Sequence, residues 1–157
     1  MTLKKSIALL TALLLLCLGC TALAETLTIG TTDYTLEIGE MEADELTLED
    51  LADDMVGYYY GDEFDLALWQ FDAEGATLDE LLAYYEDDEA VTECGTTEIN
   101  GIEAIYLTGS DTEASGYAYL YVDYLLLFDG DIVQISFYMD DAAASQAAAD
   151  VMNTLSR

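Results

Sequence analysis

The stretch YAYLYVDYLLLFDGDIVQISFYM, residues 117–139, decides the fold that this sequence predicts. Asp129 and Gly130 both tolerate positive φ, so they predict a two-residue hairpin turn between two strands. Pairing across that turn gives one unbroken apolar face, formed by Leu120, Val122, Tyr124, Leu126, Val133, Ile135, Phe137 and Met139. The opposite face is mixed and carries Tyr119, Tyr121, Asp123, Leu125, Gln134, Ser136 and Tyr138.

Three further hairpins are predicted upstream of this stretch. Asn100-Gly101 is a second two-residue turn, between strands at 91–99 and 102–108. Two earlier pairs of β-rich segments, 26–29 with 34–38 and 56–60 with 64–71, flank short loops that contain glycine. The chain is therefore expected to build its sheet mainly from hairpins.

Three helices are predicted beside these strands. Thr47 with Asp50, and Thr77 with Glu80, have the spacing of a capping box, in which each side chain accepts from a free backbone N–H of the other. The third helix, at 142–155, presents a narrow stripe of mostly small residues, namely Ala144, Ala148, Val151, Met152 and Leu155. We expect an α+β fold, an antiparallel sheet flanked by helices, with the C-terminal helix closing the apolar face of the last hairpin.

The first 24 residues have the pattern of an export signal. Lys4 and Lys5 precede an apolar run at 7–18, and Ala22-Leu23-Ala24 is a small-x-small cleavage site, so cleavage is expected between Ala24 and Glu25. Residues 25–157 then form a single α+β domain outside the cytoplasm, secreted and monomeric. In an alternative interpretation Cys20 is acylated and anchors the domain at the cell surface.

Charge excludes several classes of function. After residue 24 the single Arg157 stands against 33 acidic residues, which gives a net charge of −32. A chain this acidic is repelled by nucleic acid and by anionic membrane surfaces. Repulsion among these acidic residues is expected to be relieved by general ionic screening. Adaptation to a salty habitat is an open alternative explanation of the acidic composition.

No catalytic or metal-binding motif is present. The sequence contains no histidine, and no lysine follows residue 24, so His-based catalysis, Schiff-base chemistry and phosphate clamping are excluded. Acidic clusters at 53–54, 62–65 and 86–89 lack the spacing of a calcium loop. We therefore expect no enzyme activity, no cofactor and no defined metal site. Cys94, alone after residue 24, is expected to be a small packed residue rather than a reactive thiol.

The order of hairpins and helices resembles the Mog1/PsbP-like fold, in particular small exported proteins of anaerobic Gram-positive bacteria. The resemblance rests on three segments: INGIEA at 99–104, VQISF at 133–137 and the closing MNTL at 152–155. It covers the chain from about Glu25 to its end. Relatives of this fold act mainly as adaptors or accessory subunits, so the resemblance implies a binding role, without supplying site residues.

The mixed face of the last hairpin is the candidate binding surface. Tyr119, Tyr121 and Tyr138 could stack on sugar rings, with Asp123 and Gln134 bonding to hydroxyl groups. Alternatively, the helix at 77–85 covers this face and the tyrosines pack beneath it. We expect a non-enzymatic interaction or accessory domain whose partner is an unknown extracytoplasmic protein or glycan. A carbohydrate-binding module is the second hypothesis, and a carboxylate-based hydrolase a distant third.

Overall fold

A computed structural model of the protein describes residues 25–112 and 115–157. The predicted export signal, with Cys20 and Ala24, lies outside these residues. The described chain contains nine strands, β1 to β9 in order: Glu25–Thr28, Thr35–Gly39, Glu42–Ala43, Met55–Tyr60, Asp65–Asp72, Val91–Ile99, Ile102–Thr112, Ala118–Phe128 and Asp131–Met139. It also contains three α-helices, α1 to α3: Leu48–Ala52, Leu78–Glu86 and Ser145–Met152.

Seven of the strands form one antiparallel sheet in the order β3-β4-β5-β9-β8-β7-β6. The long hairpin β8–β9 therefore lies in the interior of the sheet, and β9 joins it to the β4–β5 hairpin. Strands β1 and β2 form a separate two-stranded sheet. The architecture is the predicted α+β combination of an antiparallel sheet with helices that include one near the C-terminus.

Both predicted two-residue turns are confirmed by their backbone angles. Asn100 and Gly101 have φ of 52° and 83°, and Asp129 and Gly130 have φ of 50° and 100°. Positive φ at both central positions matches the right-handed twist of the flanking strands, so these residue pairs hold each strand pair in a single register. Leu126 pairs with Val133 and Leu120 with Met139, as the sequence predicts.

The main core lies on the apolar face of the β8–β9 hairpin. Val133, Ile135 and Phe137 are fully buried there, together with Ala148, Met152 and Leu155 from the C-terminal segment. The predicted closure of this face is confirmed, but the C-terminal helix shares it with the β1–β2 hairpin, whose side chains Leu27, Ile29, Tyr34, Leu36 and Ile38 join the same cluster.

The C-terminal helix is shorter than predicted. Ala142–Ala144 form a 3₁₀ turn, capped by the Asp141 carboxylate, and α3 ends at Met152. Leu155 therefore lies beyond the helix, next to the Ser156 backbone, which exchanges hydrogen bonds of 2.8 and 3.0 Å with Thr35 of β2. This pairing with an early strand, rather than further helical turns, satisfies the backbone at the end of the chain.

Helix α1 forms with the predicted capping box, in which Thr47 and Asp50 satisfy each other's backbone N–H. Its apolar side chains are not packed, however. Leu48 is 87% exposed and Leu51 is 54% exposed. A helix of five residues gains little from its few internal hydrogen bonds, so capping and the adjoining strand β4 hold it rather than apolar burial.

The second face of the sheet carries a smaller core beneath α2. The capping box of Thr77 and Glu80 starts this helix as predicted. Leu78, Leu81, Leu82 and Tyr85 of α2 belong to one apolar cluster with Ile105, Leu107, Leu125 and Ile132 of the sheet, and half-buried Cys94 packs against it. Within the described residues, no helix has the length and hydropathy needed to cross a bilayer.

Candidate functional site

Beside α2, the second face of the sheet carries a tyrosine-lined groove. Helix α2 packs on β6 and β7, whereas the tyrosines of β8 and β9 lie next to the helix and are only half-buried. We call tyrosine groove the depression of about 210 Å³ lined by Tyr85, Asp88, Ala90, Val91, Leu107, Asp111, Tyr119, Tyr121, Asp123 and Tyr138. The helix therefore forms one wall of this surface instead of covering it.

The structure brings four of the five predicted site residues into this groove. Tyr119, Tyr121 and Asp123 alternate along β8, and Tyr138 of β9 pairs directly with Tyr121. The fifth residue, Gln134, does not line the groove, but its Nε2 donates to Oδ2 of Asp123 at 3.2 Å. The strict alternation of side chains along a strand is what places them together.

A second depression, of about 180 Å³, continues from the first. It shares Tyr119 and Tyr138 with the tyrosine groove and adds Tyr58, Asp65, Tyr117, Met139 and Asp140. Tyr117 donates a hydrogen bond to Asp140, and Tyr58 donates one to Asp65 at 3.3 Å. The two depressions together form a continuous aromatic and acidic surface to which six strands, β4 to β9, contribute residues.

The rings of this surface stand at right angles to one another. The centroids of Tyr119 and Tyr138 are 5.3 Å apart with an interplanar angle of 88°, and those of Trp69 and Tyr138 are 6.5 Å apart at 90°. Edge-to-face contacts of this kind are a stable arrangement of aromatic pairs. They produce walls around a small space rather than a flat platform for stacking.

Asp123 is the electrostatic centre of the tyrosine groove. Its Oδ1 is buried and accepts no hydrogen bond from any described residue, although Oδ2 accepts from Gln134. Burial raises the pKa of the Asp123 carboxyl to about 6, and the nearby Ser136 hydroxyl offsets this only in part. Ser136 is completely buried and also accepts from Gln134 Nε2, at 3.0 Å.

The tyrosines of the groove are held in their protonated form. Burial raises the pKa of Tyr138 and Tyr121, and the Asp123 charge adds to the rise in both. The Tyr121 hydroxyl donates to the Ala90 carbonyl at 3.1 Å, and the Tyr119 hydroxyl donates to Asp111 at 3.4 Å. These two hydroxyl protons are thus directed to protein acceptors.

Several residues of this surface were missed by sequence reasoning. Tyr58, Asp65, Tyr85 and Asp111 come from four other elements, and no local pattern links them to the last hairpin. Gly109 is another. A Cβ at this position would overlap the Tyr121 ring and the Ala90 carbonyl, so only glycine allows Tyr121 to cross β7 and reach Ala90. A glycine inside a strand is the sequence signal for such a close approach.

The acidic clusters do not assemble into a metal centre in the part of the chain that the structure describes. Across residues 25–112 and 115–157, no three side chains of His, Cys, Asp or Glu are placed to hold a metal ion. The one salt bridge among these residues joins Arg157 to Asp33 at 3.0 Å. It lies at the opposite core, where the guanidinium also faces the rings of Tyr34 and Phe128.

Comparison with solved structures finds the same type of fold in other proteins. A Bacteroides thetaiotaomicron protein superposes with a TM-score of 0.56 at 12% identity, over 78% of this chain and 44% of its own length. PA94 of Pseudomonas aeruginosa, a protein of unknown function described as a candidate regulator, superposes with a TM-score of 0.53 at 12% identity. That match covers 85% of this chain and 96% of PA94.

At 12% identity these likenesses concern the fold alone, and this chain spans less than half of the Bacteroides protein. No protein family model matches the sequence. No curated protein matches it either.

Proposed function

We propose that this chain is an exported, acidic and non-enzymatic interaction domain that binds an extracytoplasmic partner through the tyrosine groove. One observation carries the proposal. The groove combines half-exposed aromatic walls with a buried carboxylate whose Oδ1 has no hydrogen-bond donor in the part of the chain that the structure describes. Buried polar atoms are almost always satisfied, so an unsatisfied one calls for a partner such as a bound water, an ion or a ligand group.

The wider surface supports a partner of some size. Tyr117 is 47% exposed at the edge of the second depression and lies beside the half-buried Tyr119. Tyrosine is enriched at the energetic centres of protein interfaces because a large rigid ring carries a polar group. A monomeric accessory domain of Mog1/PsbP-like type is the form that we propose for the whole chain, in line with its hairpin order and closing segment.

A carbohydrate-binding module is the second candidate. The half-exposed rings of Tyr119, Tyr121 and Tyr138 beside carboxylates favour it, since sugars stack on aromatic faces and bond to carboxylate oxygens. The perpendicular arrangement of Tyr119 and Tyr138 disfavours it, because a sugar platform needs ring faces that are presented side by side.

The proposal is tested by photo-crosslinking from two exposed tyrosine positions. A benzophenone amino acid replaces Tyr117, at the edge of the surface, or Tyr84, which is 69% exposed on α2 and lines neither depression. Each protein is irradiated with the cell-envelope and culture-supernatant proteins of the producing organism. We expect a discrete adduct from position 117 and none from position 84.

Equal labelling at both positions, or no adduct at either, would contradict an interaction domain that uses this face. The carbohydrate hypothesis is separated by gel retardation on immobilised glycans. Retardation of the wild type that is abolished by Tyr138→Ala, together with the absence of a protein adduct, would favour the sugar-binding alternative.

A further inference from the structure

The tyrosine groove has an excess of negative charge, and no side chain in the described part of the chain neutralises it. Asp88, Asp111 and Asp123 line it, and no basic residue among those described does. Arg157, the one basic residue that the structure describes, is paired with Asp33 beside the other core. A ligand that enters this groove is therefore favoured if it carries positive charge and disfavoured if it is anionic.

The hydrogen-bonding groups of the groove point to a ligand that donates. Within residues 25–112 and 115–157, the buried Oδ1 of Asp123 has no donor, and Asp111 and Asp88 add further acceptors. The hydroxyl protons of Tyr121 and Tyr119 are already directed to Ala90 and Asp111. A sugar hydroxyl both donates and accepts, whereas a protonated amine only donates. The amine is the better complement.

The aromatic walls suit a cation of this kind. Tyr119 and Tyr138 stand perpendicular to each other, and Tyr85 and Tyr121 complete the lining. Aromatic faces attract ammonium groups through the quadrupole of the ring, more strongly where water is excluded. A volume of about 210 Å³ corresponds to about seven water molecules. This accommodates a short alkyl chain with its ammonium group.

We infer that the tyrosine groove binds an aliphatic primary ammonium group, with the Asp123 carboxylate as the acceptor and the tyrosine rings as walls. The group is that of a lysine side chain or of a free aliphatic amine. This inference rests on the proposed function, since it names the chemistry that the interaction surface recognises. A quaternary ammonium lacks the N–H that the carboxylate requires and binds more weakly.

The experiment is calorimetric titration of the folded protein at pH 7.5 with 1,5-diaminopentane, with a short lysine-containing peptide and with tetramethylammonium. Trp69, the only tryptophan, contacts Tyr138 and supplies an independent fluorescence signal from this face. We expect both primary amines to bind at least tenfold more tightly than tetramethylammonium. The amine that binds more tightly shows whether the ammonium group comes from a lysine side chain or from a free aliphatic amine.

Two aspartate variants locate the acceptor. Asp123→Asn keeps the shape of the side chain and removes its charge, whereas Asp53→Asn removes one charge from an exposed site away from the groove. We expect amine affinity to fall at least tenfold in the first variant and less than twofold in the second. Similar weakening in both variants would mean that net charge alone causes the effect, which would overturn the inference.

A pH series on the wild type provides a second test, with Asp123→Asn as its control. With a pKa of about 6, Asp123 is mostly protonated at pH 5, so amine affinity of the wild type should be about tenfold weaker there than at pH 7.5. Asp123→Asn keeps the other titratable groups that face this position, so its amine affinity should vary little with pH. These groups are Tyr85, Asp88, Asp111, Tyr119, Tyr121 and Tyr138. An equal pH dependence in the variant would contradict the assignment of Asp123.

The outcomes separate this inference from the proposed function. If amines do not bind while the adduct at position 117 persists, the ammonium inference is wrong and the interaction domain stands. If neither is observed, both are overturned. Tetramethylammonium binding as tightly as diaminopentane would rule out the hydrogen bond to the Asp123 carboxylate even where a cation binds.

Discussion

Gln134 donates a single hydrogen bond of 3.2 Å to Oδ2 of Asp123, and Oδ1 of the same carboxylate receives none from the described residues. The two residues lie on neighbouring strands of the last hairpin, on the face opposite the main core. The sheet therefore holds a carboxylate in a buried position that its own side chains satisfy only in part. Such a group costs stability unless it is protonated or bound.

The first prediction concerns this cost. In the unfolded chain an aspartate has a pKa near 3.9, whereas burial raises that of folded Asp123 to about 6. Between these values the folded state binds more protons than the unfolded state, so this residue's contribution to stability falls as pH rises from about 4 to 6 and is constant above. Asp123→Asn should therefore stabilise the protein at pH 7.5, by up to about 3 kcal/mol.

Chemical denaturation of wild type and Asp123→Asn at pH 4 and pH 7.5 measures this effect. The difference between the two proteins should be small at pH 4 and larger at pH 7.5, while effects of the remaining carboxylates cancel in the difference. A stability difference that does not change with pH would contradict the burial of an ionised Asp123.

The second prediction uses two adjacent residues that face opposite sides of the sheet. Val133 is fully buried in the main core, so Val133→Asp places an unpaired charge there and should abolish folding, since its cost of several kcal/mol rivals the stability of a whole domain. Gln134→Ala removes the hydrogen bond to the buried Asp123 carboxylate and should cost about 1–3 kcal/mol, which leaves the domain folded. Circular dichroism and denaturant midpoints distinguish the two, and equal effects would mean that the faces are wrongly assigned.

The third prediction concerns Gly109, which lies beneath the Tyr121 ring. Gly109→Ala forces both the ring and the Ala90 backbone to move, and should destabilise the protein by about 2–3 kcal/mol. Gly95→Ala, on the edge strand β6, is the matched control, because the three atoms nearest to its Cβ would all belong to the Tyr106 side chain. Thermal unfolding should show the smaller loss for position 95.

A double variant then tests the proposed cause at position 109. If overlap with Tyr121 is responsible, Tyr121→Ala should cost less in the Gly109→Ala background than in the wild type. Strict additivity of the two effects would indicate that overlap with the Ala90 backbone alone causes the loss of stability.

The fourth prediction concerns ions. With a charge of −32 after residue 24, repulsion within the chain should be relieved by screening, so that about 0.5 M monovalent salt raises the melting temperature by a few degrees. Mg²⁺ and Ca²⁺ at equal concentrations should stabilise to a similar extent, without a saturable stoichiometric site. Scanning calorimetry with each ion is the measurement, and a stoichiometric isotherm selective for Ca²⁺ would contradict general screening.

The amino-acid sequence by itself determined the local units of this protein and the faces of its last hairpin. Asp129-Gly130 and Asn100-Gly101 accept positive φ with little strain, and alternation along β8 and β9 then sorts Val133 from Gln134. Capping boxes likewise start α1 and α2 at their predicted residues. These are short-range effects, which depend only on a few residues that are neighbours in the sequence.

Tertiary structure alone decided how these units combine. The insertion of β9 between β5 and β8, the separate β1–β2 sheet and the position of α2 depend on burial summed over segments far apart in sequence. The same holds for the tyrosine groove, since Tyr85 and Asp111 reach Asp123 only when α2 and β7 lie beside β8. Each long-range contact is one of many possible pairings along the chain, and no local sequence pattern specifies which pairing is the most stable.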